Sequence, residues 1–586
     1  MKPAIRQRVA EAITALQADG ILPADCPVDI QVERCRDPGH GDYATNAALV
    51  LAKLARRSPR DVATALVAAL PADPVIAAVR IAGPGFINFD LSRQAIAAPV
   101  SEALTQGEAY GRCTLGDGQR VLLEYVSANP TGPLHVGHGR GAAFGSALAN
   151  LLKAAGYAVD QEYYVNDAGR QMNILATSVW LRYLEQWGEP VRIPDNAYRG
   201  EYVRDIAARL FIDEGEGLRL PATTVFDGLP ADGSEGGDKE TYIDRLTERM
   251  QTLLGAAAFA RVLDRALNDV LDDIRDDLTA FRVEHDRYYS ERALCARGAV
   301  ADALELLTTR DALYRKDGAL WFRSSAHGDE KDRVVERENG VHTYFAADIA
   351  YHRDKFARGY QLCIDIFGAD HHGYMARVRG ALQAMDLPAD ALDFRLVQFA
   401  ILYRGTERMS MSTRSGEFVT LRALRDEVGT DAARFFYVLR KPEQHLDFDL
   451  ELAKSQSNDN PVYYIQYAHA RICSVMRQLA ERGLDWNRDQ GLANLGLLEQ
   501  PQEQALIAAI TAYPDLLEAA ARAREPHQVA HYLRDLAHAV HSYYNAHAFI
   551  VDDHPLRDAR LSLILSARQV LRNGLDLLGI TAPESM

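Results

Sequence analysis

Two histidines three residues apart, His135 and His138, flank Val136 and Gly137 where the Pro/Gly-rich loop SANPTGPL runs into a helical pattern. Backbone N–H groups at a helix start favour an anion, and imidazoles at this spacing lie on one side of it. Gly137 lets a nucleotide approach the backbone closely. The arrangement suits ATP: both rings can donate to phosphate oxygens as charge builds at the α-phosphorus. The four letters HxGH alone are suggestive only. A dinucleotide reading competes, because Gly137-x-Gly139-x-x-Ala142 fits GxGxxA and Asp160 sits near the ribose-binding offset. In that fingerprint the first glycine turns directly off the strand, whereas here about ten residues intervene. The plainest alternative makes both histidines polar surface at a helix start.

A second constellation, GADHHGY, sets Asp370, His371 and His372 after a strand, where α/β enzymes bind ligands. A zinc site wants a third ligand and usually i, i+4 spacing on a helix, and neither is clear. No GxxxxGK[ST] segment occurs, which removes the commonest class of ATP user.

The elements that must hold these residues can be read coarsely. A chain of 586 residues exceeds one hydrophobic core, so two to four domains are expected. Residues 1–110 form a first unit, with a helix at 2–18, Asp42 as cap of a helix in GDYATNAALVLAKL, and an extended VRIAGPGFINFDLS. A polar stretch at 105–119 marks its boundary. Strand-like and helix-like signals then alternate through 111–450, the mark of α/β architecture. VLLEYVS (121–127) is a buried strand, AVDQEYYVN another, and QLCIDIFG and FRLVQFAILYR supply two more. The Gly/Asp/Pro-rich stretch 213–240 reads as an exposed insertion. From 451 to 586 the pattern is all helical. The expected fold is therefore α/β: a parallel-sheet middle domain, an N-terminal α+β domain and a C-terminal all-α helical bundle.

Composition narrows the setting. Six scattered cysteines without a CxxC pair predict reduced, mostly buried thiols. No apolar run reaches the ~18 residues of a membrane span, and the N-terminus has no apolar signal core. A cytoplasmic enzyme with no membrane partner follows. The net charge of −16 lowers the expectation of nucleic-acid binding, but local patches rather than totals hold RNA.

The passage from Glu124 to His138 resembles the signature of class I aminoacyl-tRNA synthetases, and most closely that of their arginine-specific members: Glu124, Ser127, Asn129, Pro130, Gly132, Pro133, His135 and His138. Further blocks match in the same order: GDYATNAAL, GPGFINF, YVNDAGRQ, YRGEYVRDIA, TYFAADIAYH, GADHHGY and NPVYYIQYAHARI. Together they cover most of the chain, and their order is far more specific than any one block. The second ATP motif of the class, Lys-Met-Ser-Lys, reads here Ser410-Met411-Ser412-Thr413-Arg414 and has lost both lysines. Arg408 or Arg414 is a substitute cation, since guanidinium binds phosphate well.

The resemblance implies a Rossmann-like catalytic domain that activates L-arginine with ATP and transfers it to the 3′ end of its tRNA, releasing AMP. It implies catalytic roles for His135, His138, Ser412 and Arg414, and ATP contacts at Pro133, Gly137, Asp370 and Met411. Mg²⁺ would arrive with ATP rather than on a protein metal site. A guanidinium substrate demands carboxylates in bidentate geometry. Glu124, Glu291 and Asp348 are the acids in loops or strand ends of the α/β region, and Asp348 lies four after Tyr344, the spacing of the family's guanidinium-holding pair. Ser127, Asn129 and His372 complete the implied arginine site. For tRNA, Tyr463, Tyr467 and Arg471 offer stacking and phosphate contact, and Phe86 and Asn88 match the N-terminal motif that meets the tRNA elbow. Residues of these types on amphipathic helices also serve as core and solvated face. The expected partners are arginine tRNA, L-arginine and ATP, and the expected state a monomer. Rival readings are a sister class I synthetase, a tRNA binder that lost its chemistry with the lysines, and a dinucleotide oxidoreductase.

Overall fold

The computed structural model describes residues 2–27, 30–35, 38–409 and 419–586, and only the backbone at residues 3, 38 and 370–372. Its centre is a five-stranded sheet in the order Leu392–Val397, Leu362–Gly368, Arg120–Glu124, Ala158–Val165, Arg287–Ser290, with every neighbouring pair parallel. Val121, Leu122, Leu123, Cys363 and Ile364 are buried, the near-continuous apolar run of strands covered on both faces. Chain order runs outward from Arg120–Glu124 in one direction, then returns beside it with Leu362–Gly368. That reversal is a topological switch point, and ligands bind outside the carboxyl ends of the strands there.

One sheet face packs on helix Val136–Ala154, whose Ala142, Ala143, Ala147 and Leu148 are buried. The same core continues into the C-terminal helices Pro461–Glu481, Pro501–Ala523, His527–Ala546 and His554–Leu577. The other face carries a separate core with Phe345, Ile349 and Tyr351 of helix Tyr344–Ala357. A third core belongs to the N-terminal unit, where helices Lys2–Ala18, Ala47–Ala55 and Pro59–Ala69 cover a four-stranded antiparallel sheet.

Several expectations are corrected. Asp42 caps no helix; its Oδ2 accepts from Leu91 N at 2.8 Å, and helix Ala47–Ala55 begins after Asn46. The strand at 121–127 stops at Glu124, because Val126 and Ser127 take left-handed backbone with φ of 69° and 40°. FRLVQFAILYR is two strands: Leu392–Val397 joins the central sheet, and Ala400–Arg404 leaves it to pair with Leu446–Asp449. The 213–240 stretch is mostly exposed, as expected, and is anchored by buried Leu218 and Val225, with Trp180 Nε1 donating to Leu218 O at 2.9 Å. Helix Arg93–Gln106, the last of the first unit, packs on Pro501–Ala523 and His554–Leu577. All six cysteines are free: Cys26, Cys363 and Cys473 are buried, Cys35 and Cys113 half-buried, Cys295 exposed.

Candidate active site

The loop after Glu124 is pinned from above and below. Tyr163 Oη donates to Ala128 O at 2.8 Å, and Tyr202 Oη to Thr131 O at 2.6 Å. The loop delivers His135 as the N-cap of helix Val136–Ala154. His135 Nδ1 accepts from Gly137 N at 3.1 Å, and His138 Nδ1 accepts from His135 N at 3.2 Å. A neutral imidazole whose Nδ1 accepts must carry its proton on Nε2, so both rings are set as Nε2–H donors. The rings stack with centroids 3.7 Å apart. Burial lowers the His135 pKa, and burial together with His135 lowers that of His138 to about 3. Both are therefore neutral donors at physiological pH, suited to a phosphate without a fixed cation. A side chain at Gly137 would sit 2.8 Å from the His135 ring and 3.3 Å from Phe399 Cδ1, so only glycine leaves this surface open.

The carboxylates gather beside the same strand end. Glu124 is buried; its Oε2 meets Lys355 Nζ at 2.5 Å, and its Oε1 accepts from Ser127 Oγ at 3.0 Å. Ser127 Oγ in turn accepts from Tyr164 N at 3.0 Å. Glu291 opens helix Glu291–Ala296 at the end of strand Arg287–Ser290. Asp167 fixes that turn, accepting from Ser290 Oγ at 2.6 Å and Arg292 N at 2.8 Å. Asn166 bridges inward: its amide lies 3.3 Å from Asn129 and, in the orientation that satisfies its neighbours, donates to Glu291 Oε2 at 3.0 Å. Asp348, half-buried on helix Tyr344–Ala357, accepts from Tyr374 Oη, and Tyr344 stands exposed at the helix start.

Burial raises the Glu291 carboxyl, with Asp167 adding to it, while Tyr164 opposes it by hydrogen bonding. Burial also raises Asp348 well above its ordinary value, helped by the negative charges of Glu291 and Glu124. Tyr164 is raised by burial and then by the negative charges of Glu291, Asp348 and Glu124. Acids that repel each other in a half-dry space are relieved by a bound cation.

Two surfaces away from this cleft carry the expected RNA residues. On helix Pro461–Glu481, Tyr463 and Tyr467 stack at 5.8 Å, and the Arg471 guanidinium lies 4.5 Å from Tyr467 and 4.6 Å from Tyr544. His541 accepts from Arg471 at 3.2 Å and completes a half-exposed aromatic ladder with a cation at its end. In the N-terminal sheet Phe86 is exposed, whereas Asn88 is buried between Ala44 and Arg80 on neighbouring strands. Asn88 is thus recessed where an exposed contact was expected. Lys53, Arg56, Arg57 and Arg60 are exposed nearby, since Gly85 beside Phe86 abuts Pro59.

Hydrogen bonds link Glu124 to Ser127 and, through Asn166, Asn129 to Glu291, and the charges of Glu124 and Glu291 act on Asp348; His135 ends the loop that carries Ser127 and Asn129, and His138 lies in the first turn of the helix that follows. Met411, Ser412 and Arg414 lie outside the described residues, as do the side chains of Asp370 and His372. Their described neighbours reach the histidines: Val136 N donates to Val419 O at 3.1 Å, and Thr420 pairs with His135. Sequence reading missed Phe399, exposed beside Gly137, because FRLVQFAILYR passed for one strand. It also missed Asp167 and Lys355, whose roles depend on partners distant in the chain. Among the described residues, no three His, Cys, Asp or Glu side chains cluster to hold a metal.

Comparison with known proteins shows three family matches along the chain. Residues 3–91 match the arginyl-tRNA synthetase N-terminal domain, 99–197 and 255–446 the class I (R) tRNA synthetase catalytic domain, and 465–586 the DALR anticodon-binding domain. An arginine–tRNA ligase of Thioalkalivibrio sulfidiphilus is 59% identical over 586 residues, covering 100% of both chains. One from Legionella pneumophila is 58% identical over 586 residues, again with 100% coverage of both. A solved Thermus thermophilus arginyl-tRNA synthetase superposes with a TM-score of 0.73 at 25% identity, covering 100% of both chains.

Proposed function

The chain belongs to the arginyl-tRNA synthetase family, and from that premise we propose how its residues divide the work of an arginine–tRNA ligase. The enzyme activates arginine with ATP and transfers it to tRNA. Glu291 and Asp348 take the guanidinium, with Tyr344 closing over it. Ser127 and Asn129 hold the amino acid's backbone groups, and Glu124 holds Ser127. The arginine carboxylate then faces the helix that begins at His135.

There His135 and His138 donate through Nε2–H to phosphate oxygens as the carboxylate attacks the α-phosphorus and pyrophosphate leaves. Phe399 and Gly137 offer the flat, open surface that a purine needs. Ser412, Arg414, Met411, Asp370 and His372 keep the roles their motif positions imply; the pairing of Val419 and Thr420 with the first ATP motif supports bringing that segment to the phosphates. Mg²⁺ would be carried by the ATP phosphates and neutralise their charge. Catalysis is positioning plus electrostatics: the carboxylate attacks ATP directly, without a covalent enzyme intermediate. The tRNA's terminal ribose next attacks the adenylate carbonyl and AMP departs.

The Tyr463–Tyr467–Arg471 ladder would stack unpaired anticodon-loop bases, and Phe86 with the neighbouring cations would meet the tRNA elbow. The division at 1–110, 111–450 and 451–586 assigns these tasks to an elbow-binding, a catalytic and an anticodon-binding part. A cytoplasmic monomer is the working state; no helix among the described residues is long and apolar enough to cross a membrane.

What carries the arginine assignment is the trio of Glu124 and Glu291 at strand ends and Asp348 on helix Tyr344–Ala357, whose charges act on one another and on Tyr164. Aminoacylation of arginine tRNA with arginine, lysine or citrulline tests it. Arginine alone should be charged; lysine or citrulline charged with comparable kcat/KM would overturn the assignment.

A further inference from the structure

Beneath the arginine cleft Glu124 heads a buried ionic chain whose other members the proposed chemistry does not use. Lys355 is fully buried, and its Nζ bridges Glu124 Oε2 at 2.5 Å and Asp365 Oδ1 at 2.6 Å, both carboxylates likewise enclosed. His352 continues the chain, with Nε2 2.8 Å from Asp365 Oδ2 and Nδ1 2.7 Å from Asp348 O. Tyr351 caps the ammonium from its own helix, with the ring centroid 4.4 Å away.

Three elements meet in this chain. Glu124 ends strand Arg120–Glu124, Asp365 belongs to the strand across the switch point, and His352 and Lys355 ride on helix Tyr344–Ala357. Tyr344, Asp348, His352 and Lys355 follow one another at four, four and three residues, so one stripe of that helix carries all of them. Its first turns face the cleft and its last turns anchor the helix in the sheet. Immediately beyond Glu124, Val126 and Ser127 hold left-handed backbone at φ 69° and 40°, a strained arrangement for non-glycine residues. Two bonds sustain it from the Glu124 side and behind: Ser127 Oγ donates to Glu124 Oε1 at 3.0 Å, and His285 Nε2 lies 3.2 Å from Tyr125 O.

We propose that Lys355 is a positioning residue for arginine recognition: by clamping Glu124 to Asp365 it fixes the strained turn that presents Ser127 and the helix that presents Tyr344 and Asp348. It sets the charge of the pocket as well. Lys355 cancels one of the acids at the strand ends, so Glu291 and Asp348 are left to balance the incoming guanidinium. The other ionisable groups facing this chain are Cys363 and Glu162 from the sheet and Arg358 from just past the end of the same helix. Arg358 pairs with Glu162 at 2.5 Å and so leaves Lys355 as the cation on Glu124 and Asp365 among the described residues.

This inference rests on the arginine reading, and calorimetric titration of the full-length enzyme separates the two. L-arginine and ATP are each titrated into wild type, Lys355→Met and His352→Gln, with thermal melting to confirm folding. Lys355→Met should weaken arginine about tenfold to a hundredfold, the value of a hydrogen bond to a charged group, while ATP affinity changes less than about twofold. Unchanged arginine affinity, or equal losses for arginine and ATP, would overturn the proposal. If Lys355→Met does not fold, His352→Gln takes its place with a smaller loss in the same direction, and unchanged arginine affinity there has the same force. Wild type that fails to bind arginine would instead sink the arginine reading.

Discussion

Binding of arginine should expel protons from the enzyme, and the structure gives the direction and scale. Glu291 is only 6% exposed, and burial raises its carboxyl; Asp348 is raised further by burial and by the charges of Glu291 and Glu124. Without arginine, Asp348 therefore holds a proton beyond the ordinary aspartate range. A guanidinium docked between the two acids favours their charged forms and lowers both pKa values, so the proton leaves as arginine arrives. Lowering a carboxyl pKa by one takes about 1.4 kcal/mol from the binding interaction, a factor of ten in affinity. Arginine affinity is then full above the ligand-free pKa of Asp348 and falls roughly tenfold per pH unit below it. Stability follows with the opposite sign in the arginine-free enzyme. There the folded state holds protons the unfolded chain has released, so stability decreases as pH rises from the ordinary 3.8 and 4.5 toward the raised values, and arginine restores it. Arginine titrations in buffers of different ionisation enthalpy count the protons directly; up to about one should be released once the pH is below the raised ligand-free pKa of Asp348. Identical heats in all buffers, with a dissociation constant flat in pH, would rule this coupling out.

Because the His138 pKa is held to about 3, the maximal rate of pyrophosphate exchange should show no imidazole inflection between about pH 6 and 8; a break near 6.5 in the kcat profile would mean that a histidinium does the work. Arg434 is fully buried and joins Leu578 O, Phe281 O and Ser146 Oγ, tying the C-terminal helix to the helix of the ATP motif. A Cβ at Gly579 would lie 2.3 Å from Arg434 Nη2 on backbone at φ +67°, so Gly579→Ala should cost about 1–3 kcal/mol and lower Tm by about 1–2 °C in thermal melting. Tyr467→Ala should raise KM for tRNA in steady-state aminoacylation by about 5- to 150-fold, the ~1–3 kcal/mol of one stacked base, with kcat at saturating tRNA nearly unchanged.

Much of the frame was legible in the sequence because it rests on local pattern. The apolar run before Glu124 predicts a covered parallel strand, the HVGH motif predicts a helix start, and the Ala/Leu/Arg periodicity beyond 451 predicts helices. What escaped depends on groups far apart in the chain. Lys355 sits in DKFAR, a stretch that reads as solvated face; its burial is dictated by Glu124, 231 residues away, and by Asp365 across the switch point. Asp42 looks like a cap because it precedes a helical run, yet it is used by the edge of strand Phe86–Leu91. The strand after Arg120 loses its last residues to a turn whose left-handed φ values no propensity favours for Val126 or Ser127. Phe399 was hidden by the continuity of FRLVQFAILYR, where the break between two sheets leaves no glycine or proline to mark it.

Everything assigned to the cleft depends on His135 and His138 serving arginine activation at the start of helix Val136–Ala154. The decisive assay is arginine-dependent exchange of pyrophosphate into ATP, with and without arginine tRNA, on wild type and His138→Ala. Exchange should require arginine, increase with tRNA, and fall about a hundredfold to a thousandfold in the variant, the worth of one donor to a developing oxyanion. Exchange in His138→Ala at the wild-type rate, or none in wild type with every component present, would contradict that role.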